Sequence, residues 1–268
     1  MGDSTRGMGS MKEKDRQALA QAELDAYNAE RAQESALWRD AQNERLDEAL
    51  AGCDHLLSLR DNVTLRLLRG SLRLLTGDLI GGQQDLEIAR VHPGLGQSRL
   101  MRTNVGAALW MQGKREAACQ DWAEEIRLFR ARVVTHTDPV GGVEPPAILW
   151  WASAHEDMKH WRKAAEKELR ARIKTTRYRP DVWPGPVAPY LLGETADDAL
   201  LVFTSGEPSF SNPMWAPREA HFFTGARLLD RGDLAAYKEQ VQLARNGEHI
   251  GRTFFLLSGY ELAHSAPP

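Results

Sequence analysis

NVGAALWMQGKREAACQDW, Asn104 to Trp122, reads as two helices separated by a tight turn. Gly106 stands where the helices cross, Gly113-Lys114 makes the turn seven positions on, and Ala118 and Trp122 return to the crossing. FFTGARLLDRGDLAAYKEQ, Phe222 to Gln240, repeats the order with Gly225, Gly232-Asp233 and Tyr237. Upstream, Gly70 and Gly77 lie 36 residues before Gly106 and Gly113. Only a small residue lets two helix backbones approach closely, and large neighbours then fill the groove. A helical pair recurring at this period marks a stack in which each unit needs its neighbour to bury its apolar face.

Around these pairs, helix formers dominate and the alternation expected of strands is almost absent. A long polar helix is expected over Lys12–Arg39, with Leu19 and Leu37 among its few apolar anchors. NERLDEALAGCDHLLSL places Leu46, Ala49, Leu50, Cys53, Leu56 and Leu57 on one face. VTLRLLRGSLRLLTGD carries a stripe of Leu65, Leu68, Leu72 and Leu75, and LIGGQQDLEIARVHP returns as far as Pro93. RVVTHTDPVGGVEPP, residues 132–146, breaks the run and reads as a connection between lobes. AILWWASAHEDMKHWRKAAEKELRARI resumes as a helical pair, Tyr178–Pro189 as irregular backbone, and HIGRTFFLLSGYELA as an apolar closing helix. Residues 1–11 read as a flexible leader with Met11 a candidate start, followed by helical repeats over 12–131, the 132–146 linker and further repeats over 147–265.

These residues resemble tetratricopeptide repeats. Val105-Gly106 leads to Ala118 and Trp122, Trp151-Ala152 leads to Ala164, and Gly70 leads to Gly82, Leu86 and Ala89. Tyr237 departs from the pattern, which expects a small residue there. The C-terminal third (VAPYLLGETADDAL, PREAHFFTGARLLDRGDLAAY and HIGRTFFLLSGYEL) resembles the closing repeats of the bacterial outer-membrane family "new lipoprotein I". The resemblance implies an all-α, right-handed solenoid of about six helix pairs, in one run or two lobes. It further implies an adaptor role, since members recruit proteases and cell-wall hydrolases.

Composition bounds the alternatives. A net charge of -3 over 268 residues argues against general nucleic-acid binding, which leaves a basic footprint. No stretch is apolar for long enough to span a bilayer. The cytoplasm is the default compartment, with the bacterial envelope the alternative if a signal peptide has been removed. Cys53 and Cys119 fall at corresponding helix positions and read as buried free thiols. His155 and His160 are five apart, whereas a zinc pair on a helix needs four, so they read as polar turn residues and no metal is expected. His92, His136 and Asp138 sit in loops without a nucleophile elbow or phosphate-binding loop to accompany them, and no cofactor is expected.

Arg66, Arg69 and Arg73 share one helix face, and Arg102 begins the next repeat's first helix. First helices line the concave side in this architecture. The expected function is therefore a non-catalytic scaffold or adaptor that holds a protein or peptide in its concave groove. Arg66, Arg69, Arg73, Arg102 and Asn104 would supply charge and hydrogen bonds, and Trp110 an apolar contact. The alternatives are a partner-specific neutralising protein, such as an immunity protein or secretion chaperone, and an enzyme or ligand binder using the Pro/Trp-rich loops. Trp150 and Trp151 diverge by about 100° on a helix, which leaves room for one to face outward. Trp183 and Trp215 read as plugs or contact residues, and the polar N-terminal helix as a cap or the seat of a homodimer.

Overall fold

The structure, a computed structural model, describes residues 13–91, 102–134, 140–204, 209, 213–246 and 250–264. The expected leader and the loop residues His92, Pro93, His136 and Asp138 lie outside them. Among the described residues there is no strand. The helices are α1 (Glu13–Gln42), α2 (Leu46–Leu59), α3 (Val63–Thr76), α4 (Leu79–Val91), α5 (Asn104–Met111) and α6 (Arg115–Arg130). After them come α7 (Glu144–Ala152), α8 (Arg162–Ile173), α9 (Val187–Leu191), α10 (Ala216–Asp230), α11 (Leu234–Arg245) and α12 (Thr253–His264). Short 3-10 helices span Glu156–Trp161 and Leu201–Thr204.

Local chemistry accounts for the boundaries. Asn62 caps α3 by accepting from the backbone amides of Thr64 (2.8 Å) and Leu65 (3.1 Å). Asp233 does the same for α11 through Ala236. The turns expected at Gly77 and Gly113 are left-handed, with φ of 93° and 75°, a conformation that glycine adopts without Cβ strain.

Helices adjacent in sequence pack on one another along the whole order from α1 to α12. At the α3–α4 crossing a Cβ on Gly70 would sit 3.1 Å from the Gly82 carbonyl oxygen, and one on Gly82 2.9 Å from that of Gly70. The two backbones are in contact there, so the glycines are required by space rather than by φ. One hydrophobic cluster runs from Ala41 to Leu257 and includes Val140 and Val143. The described part of the segment expected to join two lobes is thus itself packed in the core, and Glu144 already begins α7.

The C-terminal helices then fold back on the stack. α12 packs on α3 and α5 as well as on α11, and α10 packs on α7. α12 is apolar around much of its circumference, with Phe254, Phe255, Leu256 and Leu257 all buried. Such a helix must be enclosed, and α3, α5, α10 and α11 enclose it. At the other end, α1 is exposed over residues 14–25, and its C-terminal half meets the stack through Leu37, Trp38 and Ala41.

Candidate functional site

The arginine stripe lies along α3 as its spacing requires, but it is not a free cationic face. α4 brings Asp85 against it, and all three guanidinium groups converge on that one carboxylate. Arg69 donates to it at 2.6 and 2.7 Å, Arg73 at 2.8 Å and Arg66 at 3.4 Å. Asp85 has only 3% of its side chain exposed. Arg69 also reaches Asp54 on α2 at 2.6 Å. Its hydrogen bond to Asp85, the larger of the two stabilising contacts, raises its pKa beyond the ordinary arginine range. The stripe therefore binds α2, α3 and α4 to each other. The missed signal was the place of Asp85 in LIGGQQDLEIARV, three positions after Gly82 and so on the face that crosses α3.

Arg102 is likewise engaged, with its Nε 2.8 and 2.9 Å from the buried Glu125 carboxylate on α6 and its Nη1 donating to the Arg90 carbonyl. Asn104 and Trp110 on α5 meet the chain's own C-terminal segment. Asn104 donates to the Gly251 carbonyl at 2.9 Å and accepts from Thr253 at 2.6 Å. Trp110 has no exposed surface, and its Nε1 lies 3.4 Å from Glu261 on α12. The apolar contact expected of Trp110 with a partner is made with the rest of the fold.

Glu261 is the centre of a buried polar network absent from the sequence-based expectations. Tyr237 on α11 donates to it at 3.1 Å, and Trp151 on α7 donates to the Tyr237 hydroxyl at 3.3 Å. Burial raises the Glu261 pKa, against the hydrogen bonds from Tyr237 and Trp110 that lower it. Burial, then the Glu261 charge, lifts Tyr237 well above the ordinary phenol range. His155 lies in the turn after α7 as expected, but it is only partly exposed and packs its ring 4.9 Å from Trp110 and 5.1 Å from Trp151. Burial, aided by the Arg115 charge, lowers its pKa to about 4. His160 is exposed and reaches Glu116 at 3.0 Å. Among the described residues no three His, Cys, Asp or Glu side chains gather where a metal could sit.

In comparisons with known proteins, no family model, curated protein or solved structure matches this chain. Its chemistry must be read from its own geometry.

Between α12 and the ends of α3 and α5 lies an apolar cleft of about 570 Å³. Leu74, Leu75 and Met111 line one side, Leu256 and Tyr260 the other, and Arg245 and His264 also border it. Arg245 stacks over Phe255 at 3.6 Å, and burial lowers its pKa. The tryptophans left open between core and contact roles mostly turn in. Trp150 and Trp151 are both buried, with Arg162 3.7 Å above the Trp150 ring. Trp183 is buried and donates to Glu219 at 2.7 Å. Trp215 is half-buried beneath Arg252, at 3.8 Å. No helix among the described residues is long and apolar enough to cross a membrane.

Proposed function

We propose that this chain is a non-catalytic, tetratricopeptide-like solenoid that binds a protein or peptide partner on the part of its inner face left open by α12. The observation that carries this reading is the seat of α12. An apolar helix lying along first helices and fixed by a few polar contacts is how a groove of this kind takes a helical ligand. Here the chain supplies that helix itself, and the 570 Å³ cleft beside it remains available. Its lining suits a segment with apolar anchors and an acidic group to meet Arg245. The buried network speaks for scaffolding over catalysis, because both Glu261 oxygens are already engaged by Trp110 and Tyr237. In the same reading, the exposed Leu19 and Leu24 of α1 offer a seat for a second copy of the chain.

A photo-crosslinking residue at Leu75, inside the cleft, tests the proposal against one at Ile88, exposed on α4. The expected result is one protein captured from Leu75 and not from Ile88. That protein, once purified, should bind wild type and lose affinity for a Leu262→Glu variant of unchanged melting temperature. Capture from Ile88 alone, or a purified partner indifferent to Leu262→Glu, would overturn the reading.

A further inference from the structure

A second cleft, of about 700 Å³, lies between the C-terminal ends of α6 and α8 and is unlike the first in being basic. Phe129, Arg130, Arg132, Arg172, Thr175 and Arg177 contribute to its walls. Glu168 answers two of the four arginines, accepting from Arg130 at 2.9 Å and Arg172 at 3.4 Å. Arg132 and Arg177 are exposed and have no ion pair among the described residues. Arg172 is 7% exposed and lies 4.8 Å above the Phe129 ring, and its buried Nε has no hydrogen-bond partner among the described residues.

Basic residues near a helix C-terminus complement the macrodipole, which accounts for an exposed arginine such as Arg130. It does not account for Arg132. The amides of Arg132 and Val133 close α6 by donating to the carbonyls of Phe129 and Leu128, both at 3.0 Å. The same two bonds close α5, α9 and α10, where the residue in Arg132's place is Gly113, Gly193 or Gly232, and α1, where it is Glu44. Arg132 holds φ at 58° in that slot, a conformation that disfavours a side chain. The guanidinium is kept at the cleft although glycine would close the helix with less strain. Nor does the macrodipole explain a buried Nε left without an acceptor, an arrangement that costs free energy until something accepts from it.

We infer that this cleft is a binding site for a small phosphate-bearing ligand. Each guanidinium carries five donors in a planar fork that matches phosphate oxygens. Four such charges exceed the single one that Glu168 offsets, whereas a phosphate or pyrophosphate group carries several negative charges and presents oxygens on several sides. The inference does not depend on the scaffold reading, because the cleft shares no residue with the inner face.

Isothermal titration of the full chain with pyrophosphate, at physiological ionic strength, tests it. Wild type is expected to bind saturably at one site. Arg132→Gly removes the charge and relieves the left-handed strain, so it should weaken binding about tenfold, the loss of one charge-assisted hydrogen bond, with an unchanged or raised melting temperature. Arg177→Gln should weaken it comparably. Arg127→Gln, on α6 but paired with Glu124 at 2.6 Å, should not. Absence of saturable binding, an equal loss in Arg127→Gln, or tighter binding of citrate than of pyrophosphate would each overturn the assignment.

Discussion

Gly106→Ala probes the α5–α6 crossing most directly. A Cβ at this position would lie 2.3 Å from Nε1 of Trp122, 2.6 Å from Cε2 and 2.8 Å from Cδ1. The indole has to move, yet it is fully buried and its Nε1 donates to the Thr103 carbonyl at 3.0 Å. Overpacking a filled core costs about 1–3 kcal/mol. Pulling the indole off its acceptor strands a buried donor, for a further 1–3 kcal/mol or so. Against these, alanine is favoured over glycine in a helix by about 1 kcal/mol. The sum is a loss of about 3 kcal/mol, which lowers the melting temperature of a chain this size by roughly 6–12 °C. Scanning calorimetry reads the shift, and tryptophan fluorescence reports the displaced indole. Gly113→Ala is the contrast, since nothing lies within 4 Å of its Cβ and φ is 75°. It should lose about 1–2 kcal/mol through backbone strain alone, with the fluorescence unchanged. A Gly106→Ala protein that melts higher than wild type, as helix propensity by itself dictates, would refute the close-crossing argument.

Asp85→Asn leaves three arginines without their shared charge and should cost about 3–5 kcal/mol in urea unfolding; a loss below 1 kcal/mol or so would mean that the cluster is not holding α2, α3 and α4 together. Reversing Arg66, Arg69 and Arg73 to Glu should for the same reason unfold the N-terminal helices rather than merely recolour a surface. His155 predicts a pH dependence. Its folded pKa is about 4, below the ordinary 6.5, so the unfolded chain takes up the proton first as pH falls. Its contribution is complete above pH 6.5 and is lost progressively toward pH 4, by up to about 3 kcal/mol. His155→Phe keeps the ring and removes the titration, so equal slopes for variant and wild type across that window would contradict the assignment. Burial pushes the Cys53 and Cys119 thiols up to about 12, and both are fully buried. A thiol reagent should therefore label neither in the folded protein at pH 8, and labelling before unfolding would show one of them to be accessible.

The parts of this fold legible in the sequence are those fixed by neighbours a few residues apart. Gly77 and Gly113 as turns and Gly106 as a crossing follow from local spacing. Asp85 was harder, because whether an arginine row faces a groove or a carboxylate depends on the side chain one helix away. Tyr237 shows how a departure from a pattern carries information. It stands where a small residue is expected because Gly225 opposite provides the space, a Cβ there falling 3.2 Å from the Tyr237 ring. The exchange of small for large across the crossing delivers a hydroxyl to Glu261. The return of α12 joins residues roughly 150 positions apart, and no periodicity encodes it. The one hint was chemical, a single carboxylate within TFFLLSGYELA. Arg132 was legible in principle as a non-glycine residue at a helix end, but only the left-handed φ marks it as costly.

The polar contacts of α12 have a logic that its apolar contacts lack. Phenylalanine and leucine faces drive the helix onto α3 and α5 without fixing where it stops, since hydrophobic burial is non-directional. Thr253 at one end bonds to Thr103 and Asn104, and Glu261 near the other bonds to Trp110 and Tyr237. These anchors are eight residues apart, about 12 Å along a helix axis. Any sliding or rotation of α12 breaks both sets and leaves a carboxylate buried without donors, which is far costlier than losing a few apolar contacts. Burying Glu261 is therefore a means of setting register more than a source of stability. Register in turn decides which residues of α12 form the cleft wall. With Glu261 held inward, Tyr260 and Leu262 fall on either side of it, and both line the opening opposite Leu74 and Leu75. The shape of the cleft is thus inherited from a hydrogen-bond network that lies outside it.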